Sequence, residues 1–467
     1  MTAPLNLSLQ QAKPWLTQAH VVGDERTVFQ RVHTDSRSVQ PGDLFVALQG
    51  ERFDAHDFLA SLQSQGVHAA LAQRGLAEAG LSGLQVPDSR QALGELACGW
   101  RQQFQLPLVA VTGSNGKTTV TQMVASILRA WAGEQSLATQ GNFNNDIGLP
   151  LTLLRLRSTH RCAVVEIGMN HPGEMAGLAR IAAPTVALVN NAQREHQEFM
   201  VSVEAVAREN GAVLQALPAD GVAVFPADDP YTPLWQSLAG LRRCLRFGES
   251  TAAEVSLQHC EWVQDHWRVA LHTPEGVVQA RLHLAGRHNL RNALAASACA
   301  LAAGVPVAAI AQGLTDFVPV KGRSRAFQLP QQDRLITVVD DSYNANPDSV
   351  LAAIDVLAEL PAPRLLVLGD MGEVGTQGPA FHAEVGRYAR DQHIDQVLAL
   401  GELSRHTVAA CGQGRHFENM DDLQSAVLAQ LPAAGSVLVK GSRFMKMERV
   451  IEAMQASAPS KEDLSCC

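Results

Sequence analysis

The sequence of 467 residues lacks several features that mark specialised classes of protein. No apolar run reaches the roughly 18 residues that indicate a membrane-spanning helix. Residues 1–16 show neither the charged segment nor the apolar core of a secretory signal. The eight cysteines form no C-x-x-C pair and have no histidine at zinc spacing. We therefore expect a cytoplasmic protein with reduced thiols and no membrane span.

Positive charge is also in short supply, because 37 lysines and arginines stand against 46 aspartates and glutamates, a net charge of −9. Binding of nucleic acid by general electrostatics is therefore not expected. Small anionic substrates are not excluded. At physiological salt a charge is screened beyond about 8 Å, so a local site outweighs the sum over the whole chain.

What the sequence does contain is enough apolar material for several hydrophobic cores. Its length predicts roughly two to four domains, and its 46% hydrophobic and 18% charged residues are ordinary globular values. Short apolar runs alternate with helical periods, which is typical of an α/β fold with parallel sheets covered by helices. The candidate buried strands are 44–48, 108–111, 163–167, 186–189, 335–339, 365–368, 397–400 and 437–439.

One stretch departs from this pattern by alternating apolar and polar residues on either side of a turn at 273–276. It predicts a β-hairpin in a small antiparallel sheet attached to the middle of the chain. Proline and glycine near 105–107 and 319–322 mark the boundaries between domains. We therefore expect domains at 1–106, 107–325 and 326–467.

The strongest motif is a glycine-rich loop that follows the apolar run 108–111 and precedes a helical period. Its residues are Gly113, Ser114, Asn115, Gly116, Lys117, Thr118 and Thr119. Val111 stands where the first glycine of the full eight-residue motif would be, so only the shorter pattern G-x-x-G-K-T is present. Strand, loop and helix in this order still predict a nucleotide-phosphate site, with Lys117 on phosphate and Thr118 on Mg²⁺.

Two further residues stand at the ends of apolar strands of the same predicted sheet. Glu166 ends one strand, and His196 follows the next in the segment 190–196. Parallel strands bring both to the edge that carries the phosphate loop, where they could complete a Mg²⁺ shell. The alternative for each is a surface or capping residue.

Asparagines form two other candidates. Asn142, Asn144 and Asn145 belong either to a substrate-facing loop or to a capping loop. Asn289, before an alanine-rich helix, either caps that helix or contacts a base edge.

A second polar cluster begins near position 321, where Arg323 precedes the strand 335–339. That strand runs into Asp341, Tyr343, Asn344 and Asn346, and the segments 369–373 and 440–443 follow two more strands in the same way. In open α/β sheets, ligands bind at the carboxyl ends of the strands. The third domain is therefore expected to present a ligand edge of its own.

Together these motifs resemble the Mur ligases of peptidoglycan synthesis, and they do so over nearly the whole chain. The motifs that carry the resemblance are, in order, 113–119, 141–150, Glu166, His196, 286–292, 322–323 and 340–346. Within the family, 341–346, 369–373, His382 and 439–443 are most similar to the members that add D-alanyl-D-alanine. The D-N-P-R signature of the sister ligase that adds the third amino acid is absent from this sequence.

The resemblance implies a three-domain architecture, with a domain for a uridine nucleotide, a central P-loop ATPase domain and a C-terminal Rossmann-like domain for the incoming dipeptide. It implies ATP and Mg²⁺ as cofactors, and UDP-N-acetylmuramoyl-tripeptide and D-alanyl-D-alanine as small-molecule partners, without nucleic acid. An acyl-phosphate mechanism is implied, and we expect a monomer.

The resemblance also implies roles for individual residues. Lys117, Glu166, His196 and Arg323 are expected to be catalytic, with Thr118, Glu166 and His196 on the metal. Asn289, Arg323 and Asp341 are expected to contact the nucleotide beside residues 113–119. Substrate contacts are expected from residues 50–56 and from Thr34, Asp35, Ser36, Arg37, Asn142, Asn144, Asn145, Tyr343, Asn344 and Asn346.

One position departs from the family. Most members have a carbamylated lysine near a second Mg²⁺ where this chain has Asn210, whose amide cannot be carbamylated. We expect ligation here to need no carbamate. Glu195 and Glu209 are candidates for the missing negative charge, although Glu209 is equally a solvated helix residue.

Three other functions compete with this interpretation. A folylpolyglutamate-synthase-like ligase shares the ATPase domain but has no preceding uridine-binding domain, whereas about a hundred residues precede the loop here. A nucleotide-gated switch would bind ATP without joining two substrates. A nicotinamide oxidoreductase is disfavoured because no G-x-G-x-x-G follows any predicted strand.

Overall fold

The structure is a computed structural model and describes residues 4–50, 53–263, 266–331 and 334–457. Its secondary structure falls into three successive parts, each built around one main sheet. Among the described residues, no helix is long and apolar enough to cross a membrane. Short 3-10 helices cover Lys13–Trp15, Ala55–Phe58, Gln63–Gln65, Gly133–Gln135, Gly375–Gln377 and Arg443–Met445.

The N-terminal part is a five-stranded sheet in the order β2-β7-β6-β5-β4, parallel except for β2, with a two-stranded pair β1-β3 beside it. Its elements are β1 (Leu7–Ser8), α1 (Leu9–Ala12), β2 (His20–Val22), β3 (Val28–Phe29), β4 (Arg31–His33), β5 (Asp43–Val46), α2 (Leu59–Leu62), β6 (Ala69–Ala72), β7 (Ser82–Gln85) and α3 (Ser89–Arg101).

The central part is a nine-stranded sheet in the order β16-β15-β14-β13-β12-β11-β8-β10-β9. Its elements are β8 (Leu108–Thr112), α4 (Lys117–Ala132), β9 (Ser136–Ala138), α5 (Gly148–Leu153), β10 (Cys162–Glu166), α6 (Glu174–Ala182), β11 (Val186–Val189), α7 (Val203–Gln215), β12 (Val222–Pro226), α8 (Thr232–Ala239), β13 (Arg243–Gly248), β14 (Val255–Val263), β15 (His266–Thr273), β16 (Gly276–Leu282), α9 (His288–Ala302) and α10 (Val307–Thr315). The strands from β9 to β14 are parallel, so the carboxyl ends of β8, β10 and β11 share one edge.

The predicted hairpin is present, with β15 and β16 antiparallel and Thr273 opposite Gly276. The predicted small antiparallel sheet attached to the middle of the chain is not a sheet of its own. β14 pairs with β13 in parallel at Phe247 and Val255, so the hairpin continues the central sheet. Its apolar face, including Val269 and Val278, belongs to the same core as the central strands and α9, which is why the sheet does not break there.

The C-terminal part is a six-stranded sheet in the order β17-β18-β22-β19-β20-β21, with β17 antiparallel and the rest parallel. Helices bury an apolar core on each of its faces. Its elements are β17 (Arg325–Gln331), β18 (Arg334–Asp341), α11 (Pro347–Ala358), β19 (Arg364–Gly369), α12 (Gly378–Asp391), β20 (Gln396–Leu400), α13 (Arg405–Cys411), β21 (Gly414–Phe417), α14 (Met420–Gln430), β22 (Ser436–Lys440) and α15 (Glu448–Ser457).

All eight strands predicted from apolar runs are present, with ends that differ by at most two residues. They could be predicted because strands covered on both faces are apolar along their whole length. The α/β class is therefore confirmed. The boundaries at 106 and 325 stay predictions; the first lies just before β8 and the second at the first residue of β17.

The joint between the N-terminal and central parts is apolar. Leu93 and Leu96 of α3 share one core with Leu149 of α5 and Leu178 of α6. At the end of α3, the guanidinium of the buried Arg101 donates hydrogen bonds to the carbonyl oxygens of Ala182, the last residue of α6, and of Ala183. Since apolar contact of this kind resists separation, the two parts form a continuous body.

Candidate active site

A cleft of about 780 Å³ lies where the central part meets the C-terminal part. Most of the predicted site residues line it, namely Ser114, Asn115, Gly116, Lys117, Thr118, Thr119, Asn142, Asn144, Asn145, Glu166, His196, Asn289, Arg323, Asp341, Tyr343, Asn344 and Asn346. The loop at the carboxyl end of β8 and the polar segment after β18 therefore face one space.

The glycine loop is shaped by two positions that exclude side chains. Gly113 and Gly116 have φ of +132° and +80°, in the region that glycine tolerates. A Cβ on Gly113 would lie 3.0 Å from the backbone nitrogen of Asn190, and one on Gly116 would lie 2.5 Å from Asn292 Oδ1. The loop backbone is thus pressed against its neighbours and leads directly into α4, whose N-terminus favours an anion.

Lys117 is the first residue of α4, and its side chain folds back over the loop. The ammonium donates to Gly113 O at 2.5 Å and Ser114 O at 3.0 Å. Its third contact is Glu195 Oε2 at 3.1 Å. Since the side chain is 18% exposed, the charge remains accessible from the cleft.

Glu166 ends β10 and is almost fully buried. Its Oε1 accepts a hydrogen bond from Asn144 Nδ2 at 2.7 Å, whereas Oε2 is buried with no hydrogen-bond partner. An orphaned buried carboxylate oxygen is costly unless a cation or a donor reaches it. The donor chemistry at this position therefore fits a hard cation such as Mg²⁺.

His196 lies in the loop after β11 with a positive φ of 49°. Its Nδ1 is 2.6 Å from Glu373 Oε2, and its Nε2 is 3.8 Å from Glu195 Oε2. The His196 contact lowers the pKa of the Glu373 carboxyl below its ordinary value. No group of three His, Cys, Asp or Glu in the described part of the chain is arranged to hold a metal alone. A metal here would also need oxygens from a bound nucleotide, as Mg²⁺ commonly does.

The other asparagines already have partners. Asn145 Oδ1 accepts from Gly148 N at 2.9 Å, at the start of α5, so this residue has the capping role. Asn289 is buried in the first turn of α9, where its Nδ2 donates to Ala285 O at 2.7 Å and its Oδ1 accepts from Asn292 Nδ2 at 2.9 Å. Asn142 is exposed at the mouth of the cleft.

Arg323 reaches the phosphate loop from the segment before β17. Its Nη2 donates to Thr118 Oγ1 at 3.3 Å, and its guanidinium lies 4.0 Å from the ring centroid of Tyr343. Stacking of this kind stabilises a cation on an aromatic face. Tyr343 therefore holds Arg323 against the loop, while its own backbone is bonded to Gly322 O.

Asp341 and the buried Lys440 form an ion pair at the carboxyl ends of β18 and β22, with side chains 14% and 4% exposed. The Lys440 ammonium is 2.5 Å from Asp341 Oδ2 and 2.9 Å from Asn344 O. Asp341 Oδ1 also accepts from Ser324 N at 3.0 Å. The pair thus fixes the backbone of the loop that carries Tyr343 and Asn344.

Asn346 and Asn344 differ in how their side chains are used. Asn346 is the N-cap of α11, accepting from Ser349 N at 2.9 Å, and it donates across the cleft to Asn115 Oδ1 at 2.9 Å. Asn344 is exposed at the cleft. Of the two, Asn344 has the side chain that faces the open space.

Arg194 ties the same two parts together a few residues before His196. Its guanidinium is 2.6 Å from Asp348 Oδ1 and 2.8 Å from Glu384 Oε2. Although burial lowers the pKa of Arg194, its hydrogen bonds to these two carboxylates raise it above the ordinary value. We call Arg194, Asp348 and Glu384 the Arg194 clasp.

The predicted uridine-substrate residues lie away from this cleft, after β4. Thr34, Asp35, Ser36 and Arg37 do not line it, and Arg37 bonds Asp35 through its Nε and Nη2. These bonds hold the pKa of the Asp35 carboxyl well below its usual range. In the segment 50–56, residues 51 and 52 lie outside the described residues, and hydrogen bonds from His56 lower the pKa of Asp54 to about 2.

Comparison of the sequence with family models identifies the family of this chain. Three models match, described as the Mur ligase family catalytic domain at 28–101, the Mur ligase middle domain at 111–300 and the Mur ligase, glutamate ligase domain at 325–443. The chain belongs to the Mur ligase family.

Named relatives of this Mur ligase are similar over almost its full length. It is 42% identical to UDP-N-acetylmuramoyl-tripeptide--D-alanyl-D-alanine ligase of Escherichia coli K12, over 91% of this chain and 93% of the relative. A crystal structure of MurF from Acinetobacter baumannii is 34% identical with a TM-score of 0.90, covering 97% and 99% of the two chains. MurF from Thermotoga maritima in complex with ADP is 25% identical with a TM-score of 0.79, covering 91% and 97%. The expected three-domain Mur ligase architecture is thereby confirmed.

Some residues of this Mur ligase site were not singled out from the sequence. Arg194 and its clasp partners carried no motif, because the partners are 154 and 190 residues away in the chain. Glu195 was named only as one of two candidate anions. Its position directly before His196 was the available signal.

Proposed function

We propose that this chain is an ATP-dependent amide ligase that joins D-alanyl-D-alanine to UDP-N-acetylmuramoyl-tripeptide, giving ADP and phosphate. The observation that carries the proposal is that two ligand edges from different parts meet in one cleft. Asn115 contacts Asn346 and Thr118 contacts Arg323 across it. The named relatives, with this activity in their names, support the same assignment.

The chemistry follows from the weakness of a carboxylate as an electrophile. The terminal carboxylate of the tripeptide attacks the γ-phosphorus of ATP, ADP leaves, and an acyl phosphate forms. The amine of the dipeptide then attacks the acyl carbon, phosphate leaves, and the amine loses a proton as the amide forms. For such a transfer the protein supplies positioning and neutralisation of charge.

Lys117 and Arg323 are the cations placed for that neutralisation. Lys117 sits over the loop at the N-terminus of α4, and Arg323 is held beside Thr118 by the ring of Tyr343. Both are assigned to the phosphates, together with the backbone of residues 113–119. Asn289 is assigned to adenine, which requires it to exchange one of its internal hydrogen bonds for the base.

Mg²⁺, when bound, would neutralise phosphate charge beside the loop. Thr118, Glu166 and His196 are the residues that would hold it, and the orphaned Oε2 of Glu166 supports this assignment. Asn144 would orient that carboxylate through its 2.7 Å bond to Oε1.

The substrates are assigned to opposite sides of the nucleotide. Residues 34–37 and 50–56 of the N-terminal part would hold the uridine end. Asn142 would face the peptide, and so would the amide nitrogen of the exposed Asn145, whose Oδ1 caps α5. Tyr343, Asn344 and Asn346 would border the dipeptide. We also propose domains at 1–106, 107–325 and 326–467, a cytoplasmic location and a monomer.

The test uses the purified chain with ATP, D-alanyl-D-alanine and UDP-N-acetylmuramoyl-tripeptides that differ in the third residue. Mass spectrometry should find the pentapeptide product, and release of ADP should require both acceptors. Release of ADP that ignores the acceptors would indicate a nucleotide switch instead. Glutamate accepted in place of the dipeptide would indicate a folylpolyglutamate-synthase-like ligase.

A further inference from the structure

Glu195 is a buried carboxylate in the cleft to which the proposed reaction assigns no role. It lies between β11 and α7, and only 6% of the residue is exposed. Its Oε2 is 3.1 Å from the Lys117 ammonium, and its Oε1 is 3.4 Å from Asn210 Nδ2. A carboxylate taken out of water is expensive unless it is paired, so the Lys117 contact is what allows Glu195 to be buried as an anion.

Asn210 explains why this carboxylate points at the lysine. It is 1% exposed on α7, and its Oδ1 accepts a hydrogen bond from Thr112 Oγ1 at 2.7 Å. With the oxygen taken by Thr112, the amide must present Nδ2 to Glu195. A series of hydrogen bonds therefore connects Thr112, the last residue of β8, through Asn210 and Glu195 to the Lys117 ammonium.

The other candidate carboxylate is occupied elsewhere. Glu209 Oε1 accepts from Met175 N at 2.9 Å, in the first turn of α6. It does not line the cleft. The geometry thus separates two acidic residues that the sequence alone left as alternatives.

The charge of Glu195 works against binding of an anion, which is why its presence next to the phosphate loop needs a reason. A lysine ammonium has three donors at the end of a flexible chain of four carbons, so the side chain alone does not fix its position. Gly113 O and Ser114 O take two donors, and Glu195 takes the third. Of these three acceptors, Glu195 is the one outside the loop, so it ties the ammonium to the segment that follows β11.

We propose that Glu195, oriented by Asn210, is a positioning residue that sets the Lys117 ammonium for phosphoryl transfer. The inference rests on the proposed function. It gives this chain a carboxylate, encoded in its own sequence, next to the position where the family resemblance implies a carbamylated lysine. Asn210 then serves to orient an anion rather than to be one.

The test compares Glu195→Gln with Glu209→Gln, because both remove one carboxylate from the same stretch without changing side-chain size. Glu195→Gln should lower kcat by about 10- to 100-fold, the range seen when a partner that orients a functional group is removed. The apparent KM for ATP should not rise, because the lost charge repelled phosphate. Glu209→Gln should keep the wild-type kcat and KM.

A structural role would give a different result. If Glu195→Gln lowered the melting temperature and raised the KM for ATP together, or kept the wild-type kcat, the proposal would be overturned. Glu195→Asp, which keeps the charge, should retain more activity than Glu195→Gln, and the reverse order would also overturn it.

The two proposals fail separately. If the wild-type chain forms no product with any tripeptide, the proposed function is wrong, and calorimetric titration with ADP then decides about Glu195. If Glu195→Gln binds ADP as tightly as Glu209→Gln or more tightly, the result supports the position of Glu195 beside Lys117. Weaker affinity overturns it.

Discussion

Lys117 and Lys440 line the same cleft, and each has a carboxylate at its ammonium. The Lys117 side chain is 18% exposed and rests on the carbonyls of a glycine loop at a helix N-terminus. The Lys440 side chain is 4% exposed and lies beneath a loop, between Asp341 and the carbonyl of Asn344. The lysine–carboxylate pair of Lys117 thus lies at an anion-binding loop, whereas that of Lys440 lies beneath a loop with little access to solvent.

The difference shows that a lysine–carboxylate pair takes its role from its surroundings. Around Lys117, the glycine loop and a helix N-terminus attract an anion, so the ammonium is available to a phosphate. Around Lys440, the charge is used within the chain to hold the segment from Asp341 to Asn346. We therefore expect one lysine to govern turnover and the other to govern stability.

Removal of Lys117 should give the largest effect. Lys117→Ala should lower kcat by about 10³-fold, as expected when a cation on the transferring phosphoryl group is lost. The melting temperature should fall less than on removal of Lys440, because water from the cleft can reach the vacated site, although Glu195 loses its partner. Steady-state ADP release and thermal unfolding of the same sample measure both. Ligation near the wild-type rate would remove Lys117 from the mechanism.

Removal of Lys440 should have the opposite pattern, with its main effect on stability. Lys440→Met should lower the free energy of unfolding by about 3–5 kcal/mol, because Asp341 is left buried without its partner. Urea unfolding measures the change. The double variant Lys440→Met, Asp341→Asn should recover part of it, since the stranded charge is gone. If Lys440→Met were as stable as the wild type, Lys440 would not be the lysine that governs stability, and the proposed difference between the two lysines would be wrong.

Asn344 sharpens the comparison, because its carbonyl rests on Lys440 while its side chain is exposed in the cleft. Asn344→Ala should raise the KM for D-alanyl-D-alanine by up to about tenfold, the equivalent of one hydrogen bond, and raise the KM for ATP less. Asn346→Ala is expected to act in the same direction, but it also removes the cap of α11. Equal effects on both substrates would place the dipeptide elsewhere.

Bicarbonate should have no effect at all. Asn210 cannot form a carbamate, and Glu195 already supplies the anion beside Lys117. Turnover in CO₂-depleted buffer should equal turnover with added bicarbonate, and the side chain at 210 should carry no added atoms. A loss of activity that bicarbonate restores would identify another modified lysine and show that residues 207–211 are wrongly matched to the family.

The elements that could be predicted from the sequence are those with a local signature. The strand, glycine loop and helix at 108–132 are coded by neighbouring residues, and so is the turn at 273–276. The joining of β14 to β13 could not be predicted, since the pairing of Phe247 with Val255 depends on a core assembled from distant helices.

Much the same division applies to the site. Lys117, Glu166 and His196 were found because each follows a strand of the same sheet, and strand ends meet at one edge. What a side chain does at that edge was not predictable. Asn289 has internal partners for both polar groups, and Glu195 and Glu209 differ only in where their carboxylates point.

The Arg194 clasp should make the contact between the central and C-terminal parts more sensitive to ionic strength than the apolar joint at α3. Its three side chains are 23%, 22% and 36% exposed, so solvent ions can reach them, and the Debye length falls to about 3 Å at 1 M salt. The apolar joint between α3 and the central part responds in the opposite sense, because strongly hydrated salts strengthen burial of apolar surface. Concentrated sulfate should therefore strengthen the contact between the N-terminal and central parts while it weakens the clasp between the central and C-terminal parts, so that the two joints respond to the same salt in opposite directions.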